Sequence, residues 1–375
     1  MCSRHCCAAI ALFVSLILGV VYSGFLARAG ALQWIDTWNP KGRGLRFHGE
    51  VPWLVPKPWK FTAADIPDLS GQVILITGAN SGLGFSTAMH LARARAQVVL
   101  ACRSVGKCEQ AAKKIEQDVA AMSEGVAHVT PMGNLDLASF ESIRTFAATF
   151  RTQFPALDSL ILNAGVMLVE PFQLTQDGLE LTCGTNHFGH FLLTMLLIPA
   201  LETAVSKGSQ RVATISVHSS AAIFESHPSI GLARHYMEVV ADPSLNGSWY
   251  DPFQAYVQSK LANVLFAQEL SRRLERRNIL VNAHAPGAVR TNLLTHILGH
   301  MDADGPIFGG GGKLEGILGP WGRYLLLKYV LPVHNIVWGP EEGAYTQVWT
   351  SVGADLKAKR ITGQYFQNVA RQLQP

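Results

Sequence analysis

Two residues four positions apart are suited to move a proton together. Tyr256 and Lys260 lie in a segment with a helical pattern, which places positions i and i+4 on one face. A phenol alone titrates at about pH 10, and a neighbouring ammonium favours the phenolate and so lowers that pKa. The pair is therefore a candidate general acid and base for hydride transfer to or from a carbonyl carbon. The alternative is an ordinary surface pair, because Tyr-x-x-x-Lys also occurs by chance.

A glycine-rich turn upstream is suited to bind an anion. The apolar run Val73–Ile76 leads into TGANSGLG at positions 77–84, and the helix-like segment Phe85–Arg95 follows. Such a turn aims backbone N–H groups and a helix N-terminus at a phosphate. Its TGxxxGxG spacing differs from the common GxGxxG pattern, and a generic strand–helix turn is the alternative. We expect it to bind the pyrophosphate of a dinucleotide through Gly78, Ser81, Gly82, Leu83 and Gly84.

Arg103 indicates which dinucleotide the turn would hold. A carboxylate after the second strand accepts the ribose hydroxyls of NAD, but the segment Ala101–Ser104 contains no carboxylate. The guanidinium of Arg103 suits the 2′-phosphate of NADP, and Lys107 supplies a second positive charge. NADP(H) is therefore the predicted cofactor, and an exposed surface arginine is the alternative interpretation.

Alternating apolar runs and helical patterns position these residues. The runs that predict strands are 73–77, 98–101, 128–132, 159–162, 211–216 and 280–284. The helical patterns lie near 82–94, 106–122, 138–153, 184–204 and 253–276. This alternation predicts an α/β fold with a Rossmann-type doubly wound parallel sheet in a single domain. Ligands bind such sheets beyond the carboxyl ends of the strands, where the chemical motifs lie.

The amino terminus predicts a membrane anchor. Residues 6–27 form an uncharged, largely apolar run that is long enough to cross a bilayer as a helix. A cleaved signal peptide is the alternative, since Ala27-Arg28-Ala29 resembles a cleavage site, but the apolar run exceeds a usual signal core. We expect an anchor over 1–28, a linker over 29–69 and the catalytic domain over 70–375. Positive residues after the anchor favour a cytosolic position for that domain.

Composition argues against several other classes of protein. The 375-residue chain has a formal charge of +4 and no basic cluster, which argues against a nucleic-acid partner. The six cysteines follow neither a zinc-binding nor a disulfide spacing, so we expect no metal site and a reduced compartment. Hydrophobic residues make up 48% of the chain, which fits a large core and a connection to lipid.

Several motifs, in this order, resemble the short-chain dehydrogenase/reductase family. The glycine turn, Asn163-Ala164-Gly165, Asn186 and the Tyr256–Lys260 pair all match its pattern. The segment Thr185–Leu193 is closely similar to the retinol-dehydrogenase and WW-domain-oxidoreductase branches. The resemblance covers residues 65–366, most of the chain.

The resemblance implies roles that the chemistry alone does not assign. Asp136 would bond the adenine amino group, and Asn163 would border the adenosine. The backbone around Val289, together with Thr291, would contact the nicotinamide carboxamide and the phosphates. The lysine of the pair would also bond the nicotinamide ribose. Asn186 would hold a water that relays protons to that lysine. Alternatively, Asn186 is a buried amide that forms hydrogen bonds with backbone groups, and one residue can fill both roles.

One position departs from the family pattern. The family usually ends its fifth strand with two serines, and the second orients the substrate carbonyl, but Val217 occupies that position here and cannot donate a hydrogen bond. Alternation along a strand places Ser219 on the face of Val217 and Ser216 on the other face. A bulge would bring either serine into place, so Ser216 or Ser219 is the candidate substitute. An impaired or inactive enzyme is the alternative.

A long apolar segment predicts the kind of substrate. Residues 293–338 carry little charge and include four consecutive glycines at 309–312, which is typical of a mobile lid with glycine hinges. Disorder at the glycines and plain core packing are the alternatives. An apolar lid on an anchored protein indicates a lipophilic alcohol or carbonyl, such as a retinoid, steroid or fatty aldehyde.

We predict that the protein is a single-pass, membrane-anchored, NADP-dependent oxidoreductase of the endoplasmic reticulum, near the retinol-dehydrogenase-like branch. The sequence is compatible with a homodimer and does not fix the oligomeric state. A catalytically weak, cofactor-binding regulatory or scaffold protein is the alternative, motivated by Val217. A protochlorophyllide-reductase-like enzyme that reduces a carbon–carbon double bond fits less well, because the sequence around Asn186 resembles the retinoid branch.

Overall fold

A computed structural model gives the fold of this chain. It describes residues 61–122, 126–208, 211–219, 250–287, 289 and 339–367. The predicted membrane anchor, most of the linker, Thr291 and the predicted lid lie outside the described residues.

Seven parallel strands form one sheet in the order β3-β2-β1-β4-β5-β6-β7. The strands are β1 (Val73–Thr77), β2 (Gln97–Ala101), β3 (His128–Met132), β4 (Ser159–Leu162), β5 (Ala213–His218), β6 (Ile279–Ala285) and β7 (Tyr365–Gln367). The winding direction reverses between β1 and β4, so the loops after these two strands diverge and open a crevice at the carboxyl edge. The predicted Rossmann-type parallel sheet is confirmed.

Helices connect the strands and cover both faces of the sheet. They are α1 (Gly82–Arg93), α2 (Val105–Ala121), α3 (Phe140–Gln153), α4 (Gly189–Ser206), α5 (Pro252–Leu274), α6 (Pro340–Val352) and α7 (Ala354–Ala358). The helix predicted near 184–204 is divided, because a helical turn at Leu181–Cys183 and a π-helical turn at Gly184–Phe188 precede α4. The other predicted helices agree with the structure to within a few residues.

The strands β1, β2, β4, β5 and β6 are almost entirely buried, which explains their largely apolar sequences, whereas the edge strand β3 is mostly exposed or half-buried. Ile74, Leu75 and Ile76 of β1 are fully buried. Leu75 packs in a hydrophobic cluster with α3, α4 and α5, whereas Ile74 and Ile76 pack in a second cluster with α1, α2 and α6. The sheet therefore holds the carboxyl ends of β1 to β6 rigidly side by side.

β5 ends two residues later than its sequence predicted. We expected it to end at Ser216, but its pairing with β6 continues to His218, which lies opposite His284. The register is continuous along the strand, so the bulge considered for moving a serine does not occur between Ala213 and His218. The two additional residues pair with Ala283 and His284, which lie within the strand predicted for β6.

Within the described residues, the segment Leu181–Ser206 is long and apolar enough to cross a membrane, with a mean hydropathy of 1.6. Leu193, Leu197 and Leu201 from this segment are fully buried in the cluster shared with α3 and α5. Burial within the domain therefore explains its apolar composition. The predicted anchor is a different segment.

Cys102 and Cys108 form a disulfide, so the expectation that no cysteines pair is wrong. Their Cα atoms are 5.8 Å apart, a separation that suits this bond. They meet because the chain passes from the end of β2 directly into the first turn of α2, a geometry that residue spacing did not reveal. Cys183 is free and buried. We predicted a reduced compartment because no disulfide spacing was found among the cysteines, and the disulfide removes that support.

Replacing Leu160 by Ala should destabilise the domain by about 2–5 kcal/mol, because the change leaves a cavity under the central strand β4. Leu160 is fully buried, whereas Leu265 on α5 is 52% exposed. Leu265→Ala is therefore the matched control and should change the free energy of unfolding by less than about 0.5 kcal/mol. Urea unfolding followed by circular dichroism measures both variants. Equal effects would contradict the assigned core.

Candidate active site

The glycine turn forms a cradle that side chains would fill. Gly78 and Gly82 have φ angles of +66° and +55°, a conformation that glycine adopts without strain. A Cβ atom on Gly84 would lie 2.5 Å from Nδ2 of Asn163 and 2.7 Å from the Gly78 oxygen. Ser81 is the N-cap of α1, and its side chain makes no capping hydrogen bond. The backbone at the start of α1 therefore has the open approach that a pyrophosphate requires.

Hydrogen bonds attach this turn to the loop after β4. Nδ2 of Asn163 donates to the Thr77 carbonyl at 2.9 Å. The Thr77 hydroxyl accepts the backbone N–H groups of Asn163 at 2.9 Å and Ala164 at 3.0 Å. Asn163, predicted to border the adenosine, thus also holds the two sides of the crevice together.

The predicted adenosine end lies beside the same turn. Gly78 donates its N–H to the carbonyl of Ala101 at 2.8 Å, so the end of β2 is adjacent to the glycines. Arg103 follows two residues later and is exposed. Asp136 lies after β3, where one of its carboxylate oxygens accepts the Ala138 N–H at 2.9 Å. Both side chains lie at the edge where the sequence placed them, and their contacts with a nucleotide stay predictions.

Tyr256 and Lys260 lie on one face of α5 and are both buried. Nζ of Lys260 lies 5.6 Å from the centroid of the Tyr256 ring and donates to the main-chain oxygen of His218 at 3.5 Å. A Cβ atom on Gly165 would approach this Nζ to 3.3 Å, so the loop after β4 passes directly beside the pair. Burial lowers the pKa of Lys260 to about 8, because desolvation disfavours its ammonium form.

Asn186 lies in the π-helical turn and is fully buried. Its Oδ1 accepts the Val166 N–H at 2.8 Å, and its Nδ2 donates to the Val166 oxygen at 2.9 Å and to Oγ of Ser259 at 3.0 Å. The structural interpretation of this residue, an amide that satisfies backbone groups, is therefore present in the molecule. The π-helical turn, a feature frequent at functional sites, aims this amide at both the β4 loop and α5.

His190 is a site residue that the sequence analysis did not single out. Its Nε2 lies 2.9 Å from the Thr77 hydroxyl, and its Nδ1 lies 2.9 Å from the main-chain oxygen of Asn186. Burial lowers the pKa of His190 to about 3, so the imidazole is neutral and one nitrogen accepts while the other donates. A histidine within an otherwise apolar helical pattern was the available signal, since a buried imidazole needs partners on both nitrogens.

The two candidate serines face opposite sides of β5. Oγ of Ser216 lies 2.7 Å from Oγ1 of Thr350 on α6 and 3.1 Å from Nδ1 of His284. The Ser219 hydroxyl donates to the main-chain oxygen of Lys260 at 2.5 Å. The side chain of Val217 is fully buried in the cluster that includes α5. Val217 therefore faces the helix of the catalytic pair, as the alternation predicted, and Ser216 faces away from it.

The loop after β6 closes onto the start of α1. Val289 packs with Leu83 and Ala344 in a small buried cluster. A Cβ atom on Gly343 would lie 2.6 Å from a methyl group of Val289, so α6 approaches this loop closely. Val289 therefore lies next to the glycine turn, and its contact with the nicotinamide carboxamide stays a prediction.

These elements define a class of protein, an oxidoreductase built on a dinucleotide fold. The glycine cradle, the buried phenol and the buried amine all lie at the carboxyl edge of the sheet. In the described part of the chain, no group of three or more His, Cys, Asp or Glu side chains is arranged to hold a metal ion. The cradle fits a nicotinamide dinucleotide, because its backbone is open at the points where a pyrophosphate would approach.

Comparison with known proteins identifies the family. A family model described as short chain dehydrogenase matches residues 72–229. Retinol dehydrogenase 14 of Mus musculus is 35% identical over 307 residues, which cover 80% of this chain and 78% of that protein. Polyprenol dehydrogenase of Mus musculus is 36% identical over 309 residues, which cover 81% and 78% respectively. The chain belongs to the short-chain dehydrogenase family and is a retinol-dehydrogenase-like oxidoreductase that acts on CH–OH or C=O groups with a nicotinamide cofactor.

Solved structures agree with this fold. A short-chain type dehydrogenase/reductase from Mycobacterium marinum has a TM-score of 0.54 at 21% identity and covers 84% of this chain and 100% of that one. L-sorbose reductase from Gluconobacter frateurii, solved with NADPH and L-sorbose, has a TM-score of 0.55 at 20% identity, with 83% and 99% coverage.

Replacing Gly84 by Ala should weaken NADPH binding by about 100-fold, because the new methyl group displaces the turn or the amide of Asn163. Titration of NADPH fluorescence measures this affinity. Gly208→Ala is the matched control, since a Cβ atom there meets only Arg211, at 3.9 Å. Undiminished binding by Gly84→Ala would exclude this turn as the pyrophosphate site.

The buried amine predicts an unusual dependence of stability on pH. The folded-state pKa of Lys260, about 8, lies below its ordinary value of 10.5, so the unfolded chain binds the additional proton between these values. The cost of burying the ammonium is fully present below pH 8 and disappears as pH rises to 10.5. Lys260→Met removes this titration and keeps an unbranched side chain.

The stability of Lys260→Met relative to the natural protein should therefore fall by on the order of 3 kcal/mol between pH 7 and pH 10.5. Urea unfolding measures the free energy of unfolding of both proteins at both pH values. The difference between the proteins at pH 10.5 minus that at pH 7, the double difference, isolates Lys260, because the contributions of the other titrating groups cancel. A double difference near zero would show that Lys260 is not buried as a cation.

Proposed function

We propose that this protein is a membrane-anchored enzyme that transfers a hydride between NADP(H) and a lipophilic alcohol or carbonyl compound, with Tyr256 as general acid and base. When bound, the nicotinamide supplies or accepts the hydride. The observation that supports this proposal is the placement of Lys260, 5.6 Å from the ring of Tyr256 and buried beside the loop after β4.

Tyr256 carries the proton that must accompany the hydride. In reduction its phenol donates to the new alkoxide, and in oxidation the phenolate accepts the proton of the alcohol. The ammonium of Lys260 favours the phenolate, which makes the phenol a stronger acid in reduction and increases the fraction of phenolate available as a base for oxidation near neutral pH. Because burial lowers the pKa of Lys260 to about 8, the amine can also exchange protons near neutral pH. Asn186 would hold a water that relays them.

Two features support NADP(H) over NAD(H). Arg103 is exposed after β2, beside the glycine turn, and the segment between β2 and α2 contains no carboxylate. Arginine presents a fork of N–H donors that suits a phosphate. A bare ribose hydroxyl pair would offer Arg103 no comparable charged partner.

Three considerations support a lipophilic substrate at a membrane. The relatives are named for retinol and polyprenol, both lipophilic alcohols. The predicted lid at 293–338 is apolar, and the predicted anchor at 1–28 would keep the enzyme where such substrates partition. We place the enzyme in the endoplasmic reticulum as a single-pass protein with its catalytic domain in the cytosol.

Val217 favours a second candidate, a cofactor-binding protein with little turnover. A valine offers no hydrogen bond to a substrate carbonyl, and the Ser219 hydroxyl is already bonded to the Lys260 main chain. A donor of this kind is commonly worth a factor of about 10²–10³ in rate. We propose that the enzyme retains turnover through Tyr256 and Lys260 but works below the rate that a serine would permit.

Tyr256→Phe should lower turnover by about 10²–10⁴-fold and leave NADPH affinity nearly unchanged, because it removes only the proton donor. Val217→Ser should raise turnover at least about tenfold by adding the missing donor. Val217→Ala, which loses the same methyl groups without gaining a hydroxyl, is the matched control. Consumption of NADPH with retinal and long-chain aldehydes measures the rates.

The outcomes separate the two candidates. Bound NADPH without consumption in the natural protein, and turnover only after Val217→Ser, would favour the binding protein. Ser216→Ala and Ser219→Ala complete the series: if neither lowers the rate, no serine substitutes at this position. Full activity in Tyr256→Phe would refute the proposed mechanism.

A further inference from the structure

The Cys102–Cys108 disulfide encloses the residues that would recognise the 2′-phosphate. Cys102 follows β2, Cys108 lies in the first turn of α2, and the intervening residues 103–107 are all exposed. Arg103 and Lys107, the two cations of that interval, are the predicted phosphate ligands. The covalent bond therefore closes a small ring around the predicted selectivity site for the cofactor.

One end of this ring is firmly held without the disulfide. The N–H of Cys102 donates to the Met132 oxygen at 3.1 Å, and the Leu135 N–H donates to the Cys102 oxygen at 3.0 Å. These bonds attach the residue before Arg103 to the loop after β3. The disulfide adds little to the position of this end.

The other end, the first turn of α2, is held by the packing of Val105 and Cys108 and by one backbone bond, from the Cys108 N–H to the Ser104 oxygen at 3.1 Å. The capping bond from the Lys107 N–H to the Ser104 hydroxyl is 3.5 Å long, at the outer limit for a hydrogen bond. Val105 is 42% exposed, but a Cβ atom on Gly133 would lie 2.6 Å from the Val105 side chain and 2.7 Å from its Cα, so Val105 packs against the loop after β3. A Cβ atom on Gly106 would meet nothing within 4 Å, so Gly106 does not pack against the domain. Glycine also lowers the intrinsic helix propensity here. The disulfide is thus the strongest connection between the first turn of α2 and β2.

Both redox states can be accommodated. The two cysteines are buried, with exposed fractions of 2% and 0%, so exchange with an external disulfide requires the turn to open and form a transient mixed disulfide, which the neighbouring thiol then displaces. The sulfur of Cys108 lies 3.1 Å from the Leu100 carbonyl oxygen, an acceptor for the thiol when the bond is reduced. Reduction would therefore not leave a buried donor without a partner.

We propose that Cys102 and Cys108 are a reversible modification site that sets the selectivity of the enzyme for the 2′-phosphorylated cofactor. This inference rests on the proposed NADP site. In the oxidation step, the two thiols react with a low-molecular-weight disulfide such as oxidised glutathione. One protein S–S bond forms, the S–S bond of the reagent breaks, and the reagent is released as two thiols that take up both protons and the electron pair. The disulfide orders the turn and holds Arg103 and Lys107 at the phosphate position.

The test uses ligands that need no turnover. The full-length protein is treated with oxidised glutathione or with dithiothreitol, and calorimetry then measures its affinity for ADP-ribose and for 2′-phospho-ADP-ribose. Alkylation and peptide mass mapping of the same samples report whether Cys102 and Cys108 are joined. We expect the oxidised protein to bind 2′-phospho-ADP-ribose about five- to tenfold more tightly than the reduced protein, which is roughly the contribution of one charge-assisted hydrogen bond. The affinity for ADP-ribose should not change.

Three variants assign the effect to this turn. Cys108→Ser should bind like the reduced protein under both treatments. Gly106→Ala in the Cys108→Ser background should recover part of the lost affinity, because alanine stabilises the first turn of α2 and has open space there. Arg103→Ala should abolish the difference between the two ligands in either redox state.

The outcomes distinguish this inference from the proposed function. If neither ligand binds under any treatment, the proposed dinucleotide site fails. If both ligands bind with affinities that do not depend on the treatment while mass mapping shows the bond made and broken, the selectivity role is overturned. If oxidised glutathione leaves both thiols unpaired, the modification site itself is overturned.

Discussion

The buried hydroxyl of Thr77 connects the glycine turn, the proposed cofactor site, to the elements that position the proposed catalytic residues. It accepts two backbone N–H groups from the loop after β4 and lies within hydrogen-bond distance of the neutral imidazole of His190. The other nitrogen of that imidazole bonds the main chain of Asn186. These hydrogen bonds fix the position of the glycine turn relative to the π-helical turn, although the two turns lie on different elements. A hydroxyl, with one proton and two lone pairs, is fully used by these three contacts.

The proposed catalytic pair on α5 lies among polar side chains that are buried, although burying polar groups costs free energy. Lys260 is buried, and the neighbouring histidines add no positive charge, because desolvation lowers the pKa of His190 and of His284 to about 3. The site therefore places a single ammonium beside a phenol, where its effect on the pKa of that phenol is least screened by water. Burying the ammonium lowers the free energy of unfolding below pH 8. The proposed role of Lys260 in proton transfer, rather than any contribution to stability, therefore explains why a lysine lies here.

Val217 departs from the usual pattern of the family, and the disulfide is a second feature of the crevice. Val217 replaces a hydrogen-bond donor by a hydrocarbon on the face of α5, which leaves Tyr256 and Lys260 to carry the proposed chemistry. The disulfide lies at the opposite end of the crevice, at the predicted adenosine site. It also bears on topology, because a bond of this kind persists most readily in an oxidising compartment, whereas the positive residues after the predicted anchor favour the cytosol. Its redox state in cells is therefore informative about both selectivity and orientation.

Local patterns in the sequence were sufficient to predict most of the scaffold. The central strands β1, β2 and β4 are largely apolar runs of four or five residues, the glycine turn is contiguous, and the Tyr–Lys pair is separated by one helical turn. All three features depend on near neighbours in the chain. The alternation of side chains also placed Ser216 and Val217 on opposite faces correctly, because a strand has a fixed period.

Only the tertiary structure decided the contacts between distant segments. His190 meets Thr77 across 113 positions, and Ser216 meets Thr350 across 134. Cys102 meets Cys108 through the angle at which α2 leaves β2, and β5 extends to His218 because its last two residues pair with Ala283 and His284 of β6. No local pattern encodes these contacts, since each depends on the packing of complete elements against one another.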